Sequence, residues 1–77
     1  ILMIGELARL TGTKVNTIRF YEGIGLLPRP IRTASGRRVY GSPDVRRLTF
    51  VRHGRALGFS TNEIRSLLAL AGEPERD

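Results

Sequence analysis

Gly12 joins two short segments whose apolar residues recur at helical spacing. The segment before it has one apolar face, at spacings of three, four and seven, formed by Ile4, Leu7, Ala8 and Thr11. A glycine after such a face fits the left-handed residue that closes many helices. A second helix begins near Thr13 or Lys14. The sequence therefore predicts a helix, a tight turn and another helix.

The predicted second helix has two different sides. Its inner side is formed by Val15, Ile18 and Glu22, with Tyr21 close by. Its outer side is formed by Asn16 and Phe20, flanked by Thr17 and Arg19. Gly23 and Gly25 then end the helix. Leu26 and Leu27 return the chain to the core before Pro28.

Residues 29–41 have the pattern of a β-hairpin. Ser35-Gly36 is a turn signal between two short extended stretches. Alternation along the second stretch predicts two faces, with Arg38 and Tyr40 on one and Arg37 and Val39 on the other.

A third helix follows the hairpin and runs to about Leu57. Ser42-Pro43-Asp44 predicts its start, with a capping hydroxyl, a proline in the first turn and an acid near the positive end. Its apolar residues lie on two sides, which predicts packing on both: Val45, Leu48 and Val51 on one, Phe50 and Leu57 on the other.

Ser60 and Glu63 fit the capping box of a fourth helix. Its inner stripe consists of Ile64, Leu67, Leu68 and Ala71. The predicted fold class is mainly α, a winged helix-turn-helix of four helices with a small two-stranded β-hairpin wing. This domain spans residues 1–72, and residues 73–77 begin a linker to a dimerisation and effector region that is absent here.

The charge of the chain indicates a polyanionic partner. It has 13 basic residues against 7 acidic ones, and every basic residue but Lys14 is arginine. Residues 29–55 hold eight arginines and one acid, Asp44. Arginine binds phosphate or guanine through two parallel hydrogen bonds. Composition alone leaves open a basic domain that has no such partner.

The order of the elements predicts how the chain meets DNA. In a helix-turn-helix the second helix enters the major groove, where amide, hydroxyl and aromatic side chains contact base edges. Asn16, Thr17 and Phe20 are the candidates for base contacts, and Arg19 for a phosphate. The alternatives are a Phe20 covered by a neighbouring element and an Arg19 without a partner.

The basic hairpin that follows is a wing, which grips the DNA backbone rather than bases. Its projecting arginines are Arg32, Arg37 and Arg38. Tyr40 either bonds a phosphate through its hydroxyl or packs within the fold. The arginines of the third helix spread around it, so some of them are exposed or paired within the chain.

The sequence argues against an enzyme and against a metal site in this segment. It has no phosphate-binding glycine loop, paired carboxylates in a cleft, or nucleophile with a base. His53 is the single histidine and there is no cysteine, which makes a poor metal site. No apolar stretch is long enough for a membrane span, so a soluble intracellular protein is expected.

Several stretches together resemble the mercury-resistance-regulator (MerR) family of bacterial activators. They follow the order of the family's elements over about residues 3–71: residues 3–8 with 11–12, 17–22 with 25–27, 36–40, 44–48, and 57–60 with 63–65. The third and fourth helices look most like the metal-sensing branch.

The resemblance implies a homodimer that binds a palindromic promoter and activates transcription by RNA polymerase. Effector binding would twist and underwind DNA whose polymerase elements are spaced too far apart. A metal ion or small-molecule effector would bind the C-terminal region that this chain lacks. No cofactor is expected in the segment itself.

The resemblance also assigns roles by position. Arg19 and Arg38 would hold phosphates, and Tyr40 would support the wing contact. Thr17, Phe20 and Tyr21 would lie at or behind the groove-facing surface, and Arg52 or Arg55 near the backbone beside a second wing at residues 58–59. Many members have serine at position 14, so Thr13 would cap the helix instead and Lys14 would contact phosphate. The complete predicted DNA-binding set is Lys14, Asn16, Thr17, Arg19, Phe20, Tyr21, Arg37, Arg38, Tyr40, Arg52 and Arg55.

Two alternatives remain beside this interpretation. A phage-type excisionase is an architectural DNA-binding protein with a similar winged helix and no effector domain. An RNA-binding or protein-interaction module belongs to a different class. RNA readers stack bases on an aromatic platform, and the five aromatic residues of this chain are spread over four elements.

Overall fold

The computed structural model describes residues 1–71, so the predictions for residues 72–77 lie outside the described residues. Over the described range the chain forms four helices and one antiparallel pair of strands, in the predicted order. The elements are α1 (Ile4–Thr11), α2 (Val15–Gly23), β1 (Ile31–Arg32), β2 (Arg38–Val39), α3 (Ser42–Ala56) and α4 (Thr61–Leu70). The predicted fold class is confirmed.

The core lies where the four helices and the segment after α2 meet. Its fully buried side chains come from each of these parts: Leu7, Ile18, Leu26, Leu48, Val51 and Ile64. Burying one such side chain stabilises the fold by about 1.5–3 kcal/mol. Thr11 is the buried polar residue of α1, and its hydroxyl donates to the Leu7 carbonyl at 2.7 Å. The predicted apolar face of α1 is therefore confirmed at both buried positions.

The turn between α1 and α2 follows from one glycine. Gly12 has φ 64°, the left-handed region, as predicted. The Thr13 N–H donates to the Ala8 carbonyl at 3.0 Å, which satisfies a carbonyl at the end of α1. The prediction of Thr13 as the cap of α2 is wrong, because Lys14 holds that position and makes no side-chain capping bond. The Thr13 hydroxyl points back to the Thr11 carbonyl instead.

The starts of the last two helices differ in how well the sequence predicted them. Ser42 is not the cap of α3, because Gly41 holds that position and Ser42 is already helical. The Asp44 carboxylate accepts the Gly41 N–H at 2.9 Å and fixes this earlier start. In α4 the predicted capping box is confirmed, with Ser60 and Glu63 each accepting the other's backbone N–H at 3.0 and 2.8 Å.

The wing is a short hairpin with an additional strand partner. β1 and β2 pair with Arg32 opposite Arg38, and the Gly36 N–H donates to the Thr33 carbonyl at 2.8 Å in the predicted turn. The strands are shorter than the predicted stretches. Beyond β2, Leu2 and Tyr40 exchange backbone hydrogen bonds of 2.9 and 2.8 Å, so the N-terminal residues pack the base of the wing against α1.

α3 contacts both α1 and α4. Its buried residues, Leu48, Val51 and Gly54, lie on one side of the helix. Phe50 and Leu57, predicted to pack on a second side, are 41% and 78% exposed. The prediction of packing on both sides is therefore wrong within residues 1–71.

Gly54 allows the close approach of α3 and α4. A Cβ atom at this position would lie 2.9 Å from Cδ1 and 3.0 Å from Cγ1 of Ile64, a fully buried side chain. Carbon atoms in contact prefer separations of about 3.5–4.0 Å. The cost of a glycine inside a helix is thus offset by the packing that it permits.

We expect Gly54→Ala to lower the free energy of unfolding by a net amount of about 1 kcal/mol, because overpacking a core costs roughly 1–3 kcal/mol. Its gain in helix propensity, about 1 kcal/mol, offsets only part of that cost. Urea unfolding followed by circular dichroism measures the change.

Gly5→Ala is the matched control, because a Cβ at Gly5 meets no atom within 4 Å. It should raise the free energy of unfolding by about 0.5 kcal/mol. Ile64→Val removes the Cδ1 atom, so it should cost less in the Gly54→Ala protein than in the wild type. Equal stabilisation by both glycine substitutions would contradict the packing explanation.

Candidate nucleic-acid interface

The outer face of α2 is exposed because its inner face is held in the core. Ile18 is fully buried and Tyr21 is nine-tenths buried. The side chains of Asn16 and Arg19 are exposed, and Phe20 is 57% exposed. Of the two alternatives for Phe20, the structure therefore shows the uncovered one.

An open pocket lies beside the N-terminus of α2. Five of the predicted DNA-binding residues line it together with Gly12 and Thr13: Lys14, Thr17, Tyr21, Arg52 and Arg55. Tyr21, although largely buried, is thus at the back of this surface. The first N–H groups of α2 receive no side-chain cap from Lys14, and a helix N-terminus carries partial positive charge. The pocket suits an anionic group.

Arg52 and Arg55 reach the pocket from α3. The Arg52 guanidinium packs over Gly12, where an added Cβ would lie 3.3 Å from its Cζ atom. Arg55 donates from Nη1 to the Phe59 carbonyl at 2.8 Å, which ties the loop between α3 and α4 to the same side. A helix distant in sequence therefore brings two cations to the start of α2.

The three arginines of the wing differ in exposure and in hydrogen bonding. Arg37 is exposed, whereas Arg38 is partly buried. Arg32, also predicted to project, turns back and donates from Nη1 to the Gly36 carbonyl at 2.8 Å. Of the predicted wing arginines, Arg32 thus serves the hairpin turn, and Arg37 and Arg38 are left to face a ligand.

Glu22 connects the wing to α2, and sequence reasoning missed this role. The Tyr40 hydroxyl donates to Glu22 Oε2 at 2.6 Å, and Arg38 Nε lies 3.6 Å from Glu22 Oε1. The Glu22 side chain is 9% exposed. Burial, and then the hydrogen bond to Glu22, raise the pKa of Tyr40 well above its ordinary value. Of the two alternatives for Tyr40, the structure shows the packed one.

A signal for this cluster was present in the sequence. An acid on the inner, apolar side of a helix requires a partner, and alternation had placed Arg38 and Tyr40 on one face of the hairpin. The missing information was the tertiary contact between that face and α2. We refer to Glu22, Arg38 and Tyr40 as the Glu22 cluster.

Two other arginines hold the segment between α2 and the wing. Arg65 Nη2 donates to the Ile24 carbonyl at 2.6 Å, and Arg47 Nε donates to the Leu26 carbonyl at 3.0 Å. Both carbonyls follow the end of α2, where cations interact favourably with the helix. The expectation that some arginines of α3 are paired within the chain is confirmed by Arg47.

The acids of residues 1–71 leave the cationic surface largely unneutralised. Three of them accept backbone N–H groups at the starts of helices: Glu6, Asp44 and Glu63. The fourth, Glu22, is in the Glu22 cluster. Within this range no group of three or more histidine, cysteine or acidic residues could hold a metal ion. No helix of the described chain is long and apolar enough to cross a membrane.

Comparisons with known proteins agree with this geometry. A family model described as MerR HTH family regulatory protein matches residues 2–71. A probable heavy metal-dependent transcriptional regulator from Haemophilus influenzae is 47% identical over 73 residues, which are 95% of this chain and 57% of that protein. The HTH-type transcriptional regulator ZntR of Escherichia coli strain K12 is 44% identical over 72 residues, 94% of this chain and 51% of that protein.

A solved structure is also similar along the whole chain. The transcription regulator PbrR691 from Ralstonia metallidurans CH34, crystallised in complex with lead(II), has a TM-score of 0.87 at 42% identity. The match covers 100% of this chain and 60% of that one. The chain thus spans about half the length of the curated relatives that it matches. All three are transcription regulators, in line with the expectation of a protein that is not an enzyme.

We expect Tyr40→Phe to lower the free energy of unfolding at neutral pH by about 1.5–3 kcal/mol, because it removes a hydrogen bond to a buried charge. The raised pKa of Tyr40 adds a pH dependence. Its stabilisation is present below the unfolded-state pKa of about 10 and is lost as the pH rises above it. Urea unfolding between pH 7 and 11 measures both effects.

Tyr21→Phe is the matched control, since the Tyr21 hydroxyl makes no hydrogen bond within residues 1–71. It should keep the alkaline loss of stability that Tyr40→Phe removes. The same pH profile in both variants would show that the Tyr40 hydroxyl is not held as described.

Proposed function

Because the chain belongs to the MerR HTH family of regulatory proteins, as its sequence motifs predicted, we propose that it is the DNA-binding domain of a transcription regulator and that α2 reads double-stranded DNA. One observation carries the proposal. The exposed outer face of α2 and the pocket that holds Lys14, Arg52 and Arg55 adjoin at the N-terminus of the same helix. A polar and aromatic face beside clustered cations suits bases flanked by phosphates.

The side chains divide into two groups by what they can bond. Asn16 and Thr17 contact base edges, and Phe20 contacts thymine methyl groups. Arg19 lies on the flank of α2 and binds a phosphate. The remaining phosphate contacts are distributed over the pocket and the wing: Lys14, Arg37, Arg38, Arg52 and Arg55. Tyr21 and Tyr40 support these contacts from behind.

The longer protein of which such a domain is part acts, in this proposal, as a homodimer on a palindromic promoter. Two copies of α2 would read the two half-sites, and an effector would activate RNA polymerase by distorting the DNA between them. The protein works in the bacterial cytoplasm, beside the nucleoid.

The effector site belongs outside this domain. The relative from Haemophilus influenzae is named as heavy metal-dependent, and PbrR691 was crystallised with lead(II). The residues of this chain do not fit a soft metal ion, because it has no cysteine and residues 1–71 have no ligand cluster. A metal ion or small molecule would bind in the part of the relatives' length that this chain does not span.

We expect Arg19→Ala and Arg38→Ala to weaken binding to every duplex and to reduce the salt slope by about one each, since a lost phosphate contact releases about one counterion fewer. Fluorescence anisotropy with a labelled duplex, at several salt concentrations, measures both quantities. The isolated domain should bind near the nonspecific range of roughly 10⁻⁴ to 10⁻⁶ M.

Arg46→Ala is the matched control, because Arg46 lines a separate groove with Ile1, Leu2, Leu10 and Val45. It should leave the salt slope nearly unchanged. Asn16→Ala should instead relax base preference in selection from a random pool, with the slope retained. If Arg46→Ala weakened binding as much as Arg19→Ala and Arg38→Ala, the proposed surface would be wrong.

A further inference from the structure

The Arg38 guanidinium has one nitrogen, Nε, beside Glu22 and two terminal nitrogens that make no bond within residues 1–71. Its Nε is buried, lies 3.6 Å from Glu22 Oε1 and has no hydrogen-bond partner. The side chain as a whole is 33% exposed. Among residues 1–71 no hydrogen bond uses its two terminal nitrogens. The guanidinium therefore has an ion pair with Glu22 at one edge and unused donors at the other, in a side chain that is partly exposed.

We infer that Glu22 is a positioning residue, which holds the Arg38 guanidinium in the orientation that binds a DNA phosphate. The inference rests on the proposed function, because it assigns Arg38 a phosphate. A guanidinium presents its donors in a rigid fork, so fixing one edge also sets the direction of the other. The flexible arginine side chain then loses less conformational entropy when it binds.

Glu22 is itself fixed in place, which a positioning group requires. Its second oxygen accepts the Tyr40 hydroxyl at 2.6 Å. The Tyr40 backbone is in turn paired with Leu2: its carbonyl accepts the Leu2 N–H at 2.9 Å, and its N–H donates to the Leu2 carbonyl at 2.8 Å. The carboxylate thus holds Arg38 from α2 while Tyr40 keeps the wing at a constant distance from that helix.

Removing the charge of Glu22 should change DNA affinity in the direction opposite to that expected from net charge alone. DNA is polyanionic, so removing any acid should strengthen binding if only the net charge mattered. If Glu22 positions Arg38, removing its charge weakens binding although the chain becomes more basic. Arg37, which is exposed directly before β2, has no such ion pair among residues 1–71 and serves as an internal reference.

The test compares Glu22→Gln with wild type, alone and together with Arg38→Ala. The probe is a labelled duplex selected from a random pool by the wild-type chain, followed by fluorescence anisotropy. We expect Glu22→Gln to weaken binding about tenfold, which corresponds to a coupling of about 1.4 kcal/mol between contacting residues. In the Arg38→Ala protein the same substitution should have no weakening effect.

Glu6→Gln is the matched control, because it makes the same change of charge at an exposed position of α1. It should leave affinity unchanged or slightly stronger. A Glu22→Gln effect like that of Glu6→Gln, or equal weakening with and without Arg38, would overturn the inference. These results leave the proposed function standing, whereas an unaltered affinity in Arg38→Ala alone would contradict the proposed function itself.

If the Glu22→Gln protein fails to fold, a measurement on the wild-type chain tests the inference instead. The Nε–Hε groups of Arg37 and Arg38 can be followed by nuclear magnetic resonance without DNA. Arg38 should exchange this proton with water much more slowly than Arg37 and show restricted side-chain motion. Equal exchange rates would overturn the inference.

Discussion

A buried carboxylate needs partners for both oxygens, and those of Glu22 come from a different element of the chain. One oxygen accepts the Tyr40 hydroxyl at 2.6 Å and the other lies 3.6 Å from Arg38. Removing one partner of a buried charge is strongly destabilising. The position of the wing relative to α2 therefore depends on this cluster. The bonds from Arg47 and Arg65 to the connecting segment support the same arrangement.

The surface proposed to meet DNA results from how the charges are distributed over the fold. Glu6, Asp44 and Glu63 serve helix starts, so they lie at caps rather than against the arginines. Arg52 and Arg55, which belong to α3, line the same pocket as the start of α2. The positive end of α2 and cations from two helices consequently act at one place. An anion bound there is attracted both by the positive end of the helix and by the neighbouring cations.

Local signals predicted the fold well and tertiary contacts poorly. Three local predictions were correct, because each depends on a few neighbouring residues: the left-handed Gly12, the Ser60–Glu63 capping box and the hairpin turn at Gly36. The start of α3 was predicted one residue too late, because Asp44 accepts the Gly41 N–H and makes Gly41 the cap. No local signal accounts for Gly54 inside α3, because its role depends on the contact with Ile64. Glu22 was missed for the same reason, since its partners are 16 and 18 residues away.

In the proposed arrangement α2, the wing and the two arginines of α3, Arg52 and Arg55, form one DNA-binding surface. Chemical-shift mapping of the labelled chain during titration with a DNA duplex tests it most directly. The account predicts the largest changes at residues 14–20, at residues 37–38 and at Arg52 and Arg55. Changes should stay small around the groove of Leu10, Val45 and Arg46. Changes concentrated in that groove, with α2 unaffected, would contradict the account.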